Sequence, residues 1–576
     1  MMLRVRHRQA LADPPELGAA LHPVLRRVYA GRGVRAAAEL DCSLERLLPV
    51  GTLEGVEQAV ELLLAQRRSG RVLVIGDFDT DGATSTALVV RALRAWGFAA
   101  VDFLVPNRFE FGYGLTPEIV ALAATRAPTL IVTVDNGISS AAGIVAAREQ
   151  GIAVLVTDHH LPGRELPAAN VIVNPNIAGS RFGSRALAGV GVAFYVMAAL
   201  KRRLDQEGLT VRGERGAAEY LDLVALGTIA DLVPLDANNR VLVSQGLKRI
   251  RAGRCVAGVR ALLQLAERTL PELTAADLAF AVAPRLNAAG RLTDMSVGIQ
   301  CLLADDAAEA TACAGQLEQL NQERRTIEAR MQSEALAAVR HLRDPVLGAR
   351  RGGGLCLFDE SWHQGVVGLV ASRIKDKTRR PVIAFARAAD GTLRGSARSV
   401  SGLHVRDVLD SIATRHPELI TRFGGHAMAA GLTLAASALD RFARAFDEEV
   451  VRCLGAASET DWVDTDGELA VHEIALDTAS ALRAGGPWGQ GFPEPSFDGL
   501  FSVRNARVVG ERHLKMWVEV PRTGRTFDAI CFNHLEEPAR GEPQLPPQAR
   551  LVYRLDVNEY QGERRLQLLV DHVLAA

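Results

Sequence analysis

Three short apolar runs, each closed by an aspartate, limit what this chain can fold into more than any other feature. Val72-Leu73-Val74-Ile75-Gly76 runs into Asp77, Leu130-Ile131-Val132-Thr133-Val134 into Asp135, and Ala153-Val154-Leu155-Val156-Thr157 into Asp158-His159-His160. Runs rich in β-branched residues and spaced by helical segments predict a parallel sheet buried on both faces. Such sheets bind ligands at the carboxyl ends of their strands. Three strands would therefore deliver carboxylates and imidazoles to one crevice. Crowded carboxylates repel one another unless cations hold them, which points to divalent metal.

A chain of 576 residues has room for three or four domains, and its 48% hydrophobic content supplies large cores. The formal charge of -1 gives no global polyanion-binding surface, so a nucleic-acid partner would need local basic patches. The seven cysteines, Cys42, Cys255, Cys301, Cys313, Cys356, Cys453 and Cys531, are scattered with no Cys-x-x-Cys pair. That argues against a disulfide scaffold or structural zinc and fits a reducing, cytoplasmic location. The basic stretch 1–11 lacks the apolar segment of a signal peptide. The apolar stretch 186–200 is too short for a membrane span, so no membrane association is expected.

Residues 1–50 read as an irregular and helical lead-in. Residues 51–240 alternate strands and helices, with Thr116 as an N-cap before Pro117. Residues 241–345 read as a helical connector, in which 307–342 contains one glycine, Gly315, and no proline. Residues 346–455 form a smaller α/β unit, with strands at 354–358 and 382–386 around a helix. Residues 456–576 change to short alternating segments, the pattern of a small β-barrel or sandwich.

The segment Gly76-Asp77-Phe78-Asp79-Thr80-Asp81-Gly82 packs three carboxylates into five residues. If extended, it places Asp77, Asp79 and Asp81 on one face, with Gly76 and Gly82 letting the backbone turn beside a ligand. A solvated acidic turn, or the Asp-x-Asp of a haloacid-dehalogenase-type phosphatase, would look similar. Asp135 in Asp-Asn-Gly reads alone as a turn, and Asp231 alone as a helix-end cap. Adjacent histidines at a strand end are uncommon, and imidazole is a common ligand for transition metals. Together, four or more carboxylates with one or two imidazoles suit paired Mn²⁺ or Mg²⁺, and paired metals suit phosphoryl transfer.

Other segments carry polyanion signals. Pro106-Asn107-Arg108-Phe109-Glu110-Phe111-Gly112-Tyr113-Gly114 sets an arginine among aromatics, as a phosphate-plus-base site requires, although a plain surface loop would too. Gly424-Gly425-His426 can bring backbone N–H groups to a phosphate, unless His426 is a core histidine. Arg373, Lys375, Lys377, Arg379 and Arg380 form either a solvated helix end or the wall of a DNA channel. Trp517, Phe527, Phe532 and Tyr560 are candidate stacking platforms in the C-terminal unit, most of them expected in its core.

In this order the motifs resemble the DHH phosphoesterase superfamily, and within it the single-strand-specific 5′-to-3′ exonucleases. Ala230-Asp231-Leu232-Val233-Pro234 and Pro284-Arg285-Leu286-Asn287-Ala288-Ala289-Gly290-Arg291 extend the match. Gly395-Ser396-Ala397-Arg398-Ser399 and Gly424-Gly425-His426-Ala427-Met428-Ala429-Ala430-Gly431 extend it into an accessory DHHA1 domain. The resemblance implies an OB-fold for the C-terminal unit and two bound ions, Mn²⁺ or Mg²⁺. It implies that Asp79 and Asp81 are metal ligands, joined by Asp77, His159 and Asp231, with Asp135 bridging the ions as a catalytic residue. His160 would be catalytic at the scissile phosphate. Arg108, Ser396 and Arg398 would hold a 5′ phosphate, with Arg285, Asn287, Gly425 and His426 also on the substrate. It further implies a monomer that works on single-stranded DNA with a helicase and single-strand-binding protein, in DNA repair and recombination.

Three other readings compete. A DHH enzyme for short oligonucleotides or cyclic dinucleotides would lack the β-rich 460–576. A haloacid-dehalogenase phosphatase would need a downstream lysine and would not use Asp158-His159-His160. A non-catalytic replication scaffold would have lost metal ligands.

Overall fold

A computed structural model describes the chain except residues 1, 10–16, 19, 108, 112–113, 211–214, 343–352, 455–459, 511, 536–544, 561 and 576. It divides into two compact units: 1–283 with 299–311 and 459–576, and 284–298 with 312–458.

The first unit opens with a strand, β1 (Met2–His7), where a lead-in without strands was expected. Its partner lies more than 450 residues away, so no local pattern announces it. The central sheet follows: β2 (Arg71–Gly76), β3 (Ala100–Leu104), β4 (Leu130–Val134), β5 (Ala153–Thr157) and β6 (Val171–Val173). All its pairings are parallel, in the order β3-β2-β4-β5-β6. Strand β4 is buried along its whole length, as its β-branched composition predicts. The chain leaves β2 toward β3 on one side and returns to β4 on the other, so the crevice between β2 and β4 is the topological switch point. The register sets Gly76 beside Val134 and Val134 beside Thr157. Asp77, Asp135 and Asp158 therefore leave three adjacent strands at one level.

The helix Thr80–Ala95 follows β2 directly, and all of its first fourteen residues are buried. The expected N-cap is present at Thr116, which accepts a hydrogen bond from the Ile119 N–H, with Pro117 in the first turn. Buried helices Gly189–Gln206 and Leu221–Ala230 pack on the Thr80–Ala95 helix.

In the second unit, β7 (Leu355–Phe358), β8 (Val382–Arg387), β9 (Leu393–Arg398), β10 (Arg422–Gly425) and β11 (Ala429–Leu434) form a mixed sheet, order β10-β11-β9-β8-β7. One cluster, with Phe385, Phe442 and Phe446, packs the helices Val405–Arg415 and Leu439–Leu454 on the sheet. Another joins Met331, Ala335 and Val339, from the 36-residue helix Ala307–Leu342, to the helix Val367–Thr378. That long helix matches the uninterrupted pattern read from the sequence.

The chain then re-enters the first unit through β12 (Thr460–Thr465), which pairs in parallel with β1. The strands β13 (Phe497–Val509), β14 (His513–Glu519), β15 (Thr526–Cys531), β16 (Gln548–Tyr560) and β17 (Glu563–Ala575) close into the expected barrel. Phe497, Phe501, Met516, Leu551 and Tyr553 fill it. Among the described residues, no helix is long and apolar enough to cross a membrane.

Candidate metal centre

The crevice at the ends of β2, β4 and β5 gathers the acidic and imidazole side chains. Asp77 follows β2 directly and is buried. Asp79 is half-buried and caps the Thr80–Ala95 helix, its Oδ1 accepting from the Gly82 N–H at 3.0 Å. Asp81 lies in the first turn of that helix. The three carboxylates thus straddle a strand end and a helix start, and do not alternate along an extended segment. A helix forms here because Asp79 satisfies a free first-turn N–H. Gly76 and Gly82 also play a different part from the one expected, since neither has a positive φ. A Cβ at Gly82 would lie 2.5 Å from the Asp77 carbonyl oxygen, and one at Gly76 2.1 Å from Thr86 Oγ1. Close packing selects glycine at both.

Asp81 accepts from the backbone N–H groups of Gly189 (2.6 Å) and Val190 (3.0 Å), at the start of the helix Gly189–Gln206. Asp135 follows β4 with φ +61, a left-handed conformation that aspartate tolerates better than most residues. Asp231 is the C-terminal cap of the helix Leu221–Ala230, as its sequence suggests.

His159 faces this group. Its Nε2 is 3.0 Å from Asp135 Oδ1, 3.6 Å from Asp231 Oδ2 and 4.0 Å from Asp81 Oδ2. His160 directs its Nδ1 to Asp158 Oδ1 at 2.8 Å, while a ring nitrogen stays within 4.8 Å of ligand atoms of Asp135 and His159. Asp158 is buried and also accepts from the backbone N–H groups of Ile138, His159 and His160. It fixes the double-histidine turn from behind. Asn174 and Asn176 complete the support, donating to the carbonyls of His160 (2.9 Å) and His159 (2.6 Å). The sequence reading gave neither asparagine a role. The only sequence signal was their place just after the short run 171–173.

The ionisation pattern shows what the site lacks on its own. Burial, then the charge of Asp79, pushes Asp81 up to about 7. Burial and the surrounding carboxylates, Asp81 foremost, hold Asp135 and Asp231 well above the usual carboxylate range. Burial is the largest single influence on His160 and opposes its charge, but the hydrogen bond to Asp158 and the charges of Asp158, Asp231 and Asp77 together outweigh it and raise it to about 9. Asp158 is likewise penalised by burial, yet the His160 contact brings it below its ordinary value. The main cluster would thus be stabilised by added positive charge. Three sets of ligand atoms lie within 4.8 Å of one another: Asp77, Asp79 and Asp135; Asp81, His159 and Asp231; and Asp135, His159 and His160. Hard carboxylates with imidazole suit Mn²⁺ or Mg²⁺, so these residues fit the metals expected.

Two glycines with no role at the site expected from the sequence shape it. A Cβ at Gly189 would lie 2.5 Å from Asp135 Cβ and 2.7 Å from Asp135 Oδ1. One at Gly227 would lie 2.8 Å from Asp81 Oδ1 and 2.3 Å from Thr84 Oγ1.

The remaining candidates, apart from Arg108, lie in the second unit. Ser396 and Arg398 share one face of β9, and Arg398 Nη1 donates to Ser396 Oγ at 2.8 Å. Burial lowers the Arg398 guanidinium, and among the described residues no carboxylate pairs with it. Gly368, at the start of the helix Val367–Thr378, leaves room for the pair, since a Cβ there would lie 2.8 Å from Arg398 Nη2. Gly425 has φ +140 at the end of β10. His426 is exposed in the following turn, which removes the core-histidine alternative. Arg285 is buried with its Nε 2.6 Å from Glu318 Oε2, and Asn287 is half-buried on the same helix, Ala283–Leu292. Arg108 falls outside the described residues. In the basic run, Arg373 pairs with Glu328 (3.1 Å) and Lys375 with Asp376 (2.7 Å). Of the barrel aromatics, Trp517 and Phe532 are exposed and Phe527 is buried, while the Tyr560 side chain lies outside what is described.

Comparison with known proteins agrees with this architecture. A model of the DHH family, N-terminal domain, matches residues 71–228, one of the DHHA1 domain 351–452, and one of the RecJ OB domain 465–572. The chain is 54% identical to the single-stranded-DNA-specific exonuclease RecJ of Dickeya dadantii, over 97% of each chain. It is 52% identical to that of Escherichia coli, over 98% of each. RecJ from Thermus thermophilus, solved in complex with Mn²⁺, superposes with a TM-score of 0.81 at 32% identity, covering 100% of this chain and 80% of that one. The complex of that protein with Mg²⁺ superposes with a TM-score of 0.76.

Proposed function

Because this chain belongs to the RecJ family of single-stranded-DNA-specific exonucleases, we propose that it is a metal-dependent nuclease that degrades single-stranded DNA from the 5′ end and releases 5′-mononucleotides. The carrying observation is the row of strand-end carboxylates around His159, with Asp135 common to two of the three ligand sets. Asp77, Asp79, Asp81, Asp135, His159 and Asp231 would hold two divalent ions, Mn²⁺ or Mg²⁺, with Asp135 shared. When bound, the ions lower the pKa of a water and neutralise charge on the scissile phosphate.

The protein's own groups do the rest. Asp158 holds His160 protonated, so that its Nε2–H donates to a non-bridging phosphate oxygen and stabilises charge developing there. The Asn174 and Asn176 contacts hold the main chain that carries both imidazoles. Ser396 and Arg398 bind the 5′ phosphate, which sets polarity. Arg285, Asn287, Gly425 and His426 position the strand, and Trp517 and Phe532 offer faces for stacking farther along it.

In this reading residues 51–240 carry the chemistry and 346–455 the end recognition. Residues 456–576 hold the strand, 241–345 connect the parts, and 1–50 lead in. The protein acts as a cytoplasmic monomer in repair and recombination, with a helicase and single-strand-binding protein. Arg398→Ala should lower the ratio of rates on 5′-phosphorylated over unphosphorylated strands by about tenfold or more, the value of one charge-assisted hydrogen bond. An unchanged ratio would remove Arg398 from the end pocket. Asp158→Asn should slow release by about 10- to 100-fold with the KM for single strands little changed, because it frees His160 without touching the strand.

A further inference from the structure

A second cavity, of about 410 Å³, lies in the first unit between the DHH region and the helices that follow it. Five arginines line it, Arg91, Arg215, Arg249, Arg254 and Arg260, against two carboxylates, Glu219 and Asp305. The two acids do not use up the positive charge. Asp305 is taken by Arg91 at 2.8 Å, and Arg91 also donates to the carbonyls of Leu302 and Ala304. Glu219 reaches Arg249 only at 3.9 Å. Arg249 Nε is buried without a hydrogen-bond partner among the described residues. Arg215, Arg254 and Arg260 have no ion pair among the described residues, although Arg260 donates to the Gly253 carbonyl.

A buried guanidinium N–H without an acceptor is costly, and an anion removes that cost. The cavity wall also includes Val256 and Ala257, which open the helix Ala257–Leu265. That helix has no side-chain cap; the buried Asp222, whose charge also acts on Arg249 and Arg91, accepts from the Val256 N–H at 2.8 Å, and the N–H groups of the first turn beyond Val256 add to the positive end. Gln264 and Thr311 offer neutral hydrogen-bonding groups on the rim.

We propose that this cavity is a binding site for a small polyphosphate anion, pyrophosphate or the phosphate chain of a nucleoside di- or triphosphate. The volume falls in the range of small-ligand sites. Arginines spread over several elements suit two or more adjacent phosphates, each able to take paired N–H donors. The site is separate from the metal centre. Arg91 lies on the helix that starts at Asp79 and Asp81, and ten residues of helix put it about 15 Å along the axis from Asp81.

The test is calorimetric titration of the full-length, Mg²⁺-loaded protein with pyrophosphate, ADP and a single-stranded oligonucleotide. It compares wild type, Arg254→Ser/Arg260→Ser and Arg398→Ala. Both substituted arginines in the double variant are exposed, so it should keep the wild-type circular dichroism and its rate on single strands. Pyrophosphate and ADP should both bind wild type and Arg398→Ala, and bind the double variant about tenfold or more weakly. Equal affinity for pyrophosphate and ADP places recognition on the phosphates alone, and tighter ADP adds contacts to the nucleoside; both accord with the proposal. Wild-type affinity in a folded double variant would overturn it. So would binding lost only in Arg398→Ala, binding of ADP without pyrophosphate, or an arginine-dependent preference for the oligonucleotide.

Discussion

Asp135→Asn is expected to give a folded protein that releases nucleotides about 1000-fold more slowly than wild type or worse. That corresponds to about 4 kcal/mol of lost transition-state stabilisation, within what a shared metal ligand supplies. Asparagine keeps the shape of aspartate and tolerates the φ of +61 at this position, so the loss would not come from backbone strain. The same substitution should stabilise the metal-free protein. Asp135 is buried beside Asp81, Asp79, Asp231 and Asp77, and its charge is disfavoured by all of them. Removing that charge relieves repulsion, so the metal-free variant should melt above metal-free wild type. Mn²⁺ should raise the Tm of wild type more than that of the variant. A variant with lower metal-free stability would show that Asp135 is held by contacts that favour its charge, contrary to the site described.

Gly227→Ala should be nearly as damaging, although residue 227 carries no functional group. Its Cβ would meet Thr84 Oγ1 at 2.3 Å and Asp81 Oδ1 at 2.8 Å, on two buried helices that cannot easily part. Overpacking of this kind costs about 1–3 kcal/mol of stability. Displacing the Asp81 carboxylate by a fraction of an ångström should lower the rate by about 100-fold, the usual penalty for a misplaced catalytic group. Gly189→Ala should act in the same way on Asp135, whose Oδ1 would lie 2.7 Å from the new methyl. Melting curves and turnover on single strands measure the two effects separately. Wild-type turnover in Gly227→Ala would mean that Asp81 has freedom to move without consequence.

The parts of this site that strands deliver were legible in the sequence. β-Branched runs of nearly equal length, each ending in aspartate, fix both the sheet and the level at which Asp77, Asp135 and Asp158 emerge. The period of two along β9 likewise puts Ser396 and Arg398 on one face. The parts that depend on how elements approach each other were not legible. Asp79 and Asp81 look extended when read alone, but the cap at Asp79 starts a helix between them. Gly189 and Gly227 are ordinary glycines of apolar helices until the helices pack and their missing Cβ atoms make room for carboxylates. The pairing of β1 with β12 joins the two extremes of the chain and has no local signature. The spare arginines of the second cavity come from a helix, the loop after it, the next helix and, more than thirty residues earlier, Arg215, which only folding brings to the others.

The central claim is a metal-dependent hydrolysis that starts from a 5′ end. It is tested most directly by digesting one single strand, labelled at the 5′ end or at the 3′ end, with Mn²⁺ and with EDTA. The account predicts that Mn²⁺ releases the 5′ label first, as a mononucleotide, while the 3′ label stays on a shortening strand, and that EDTA stops both. Early release of the 3′ label as a mononucleotide, or release that persists in EDTA, would contradict it.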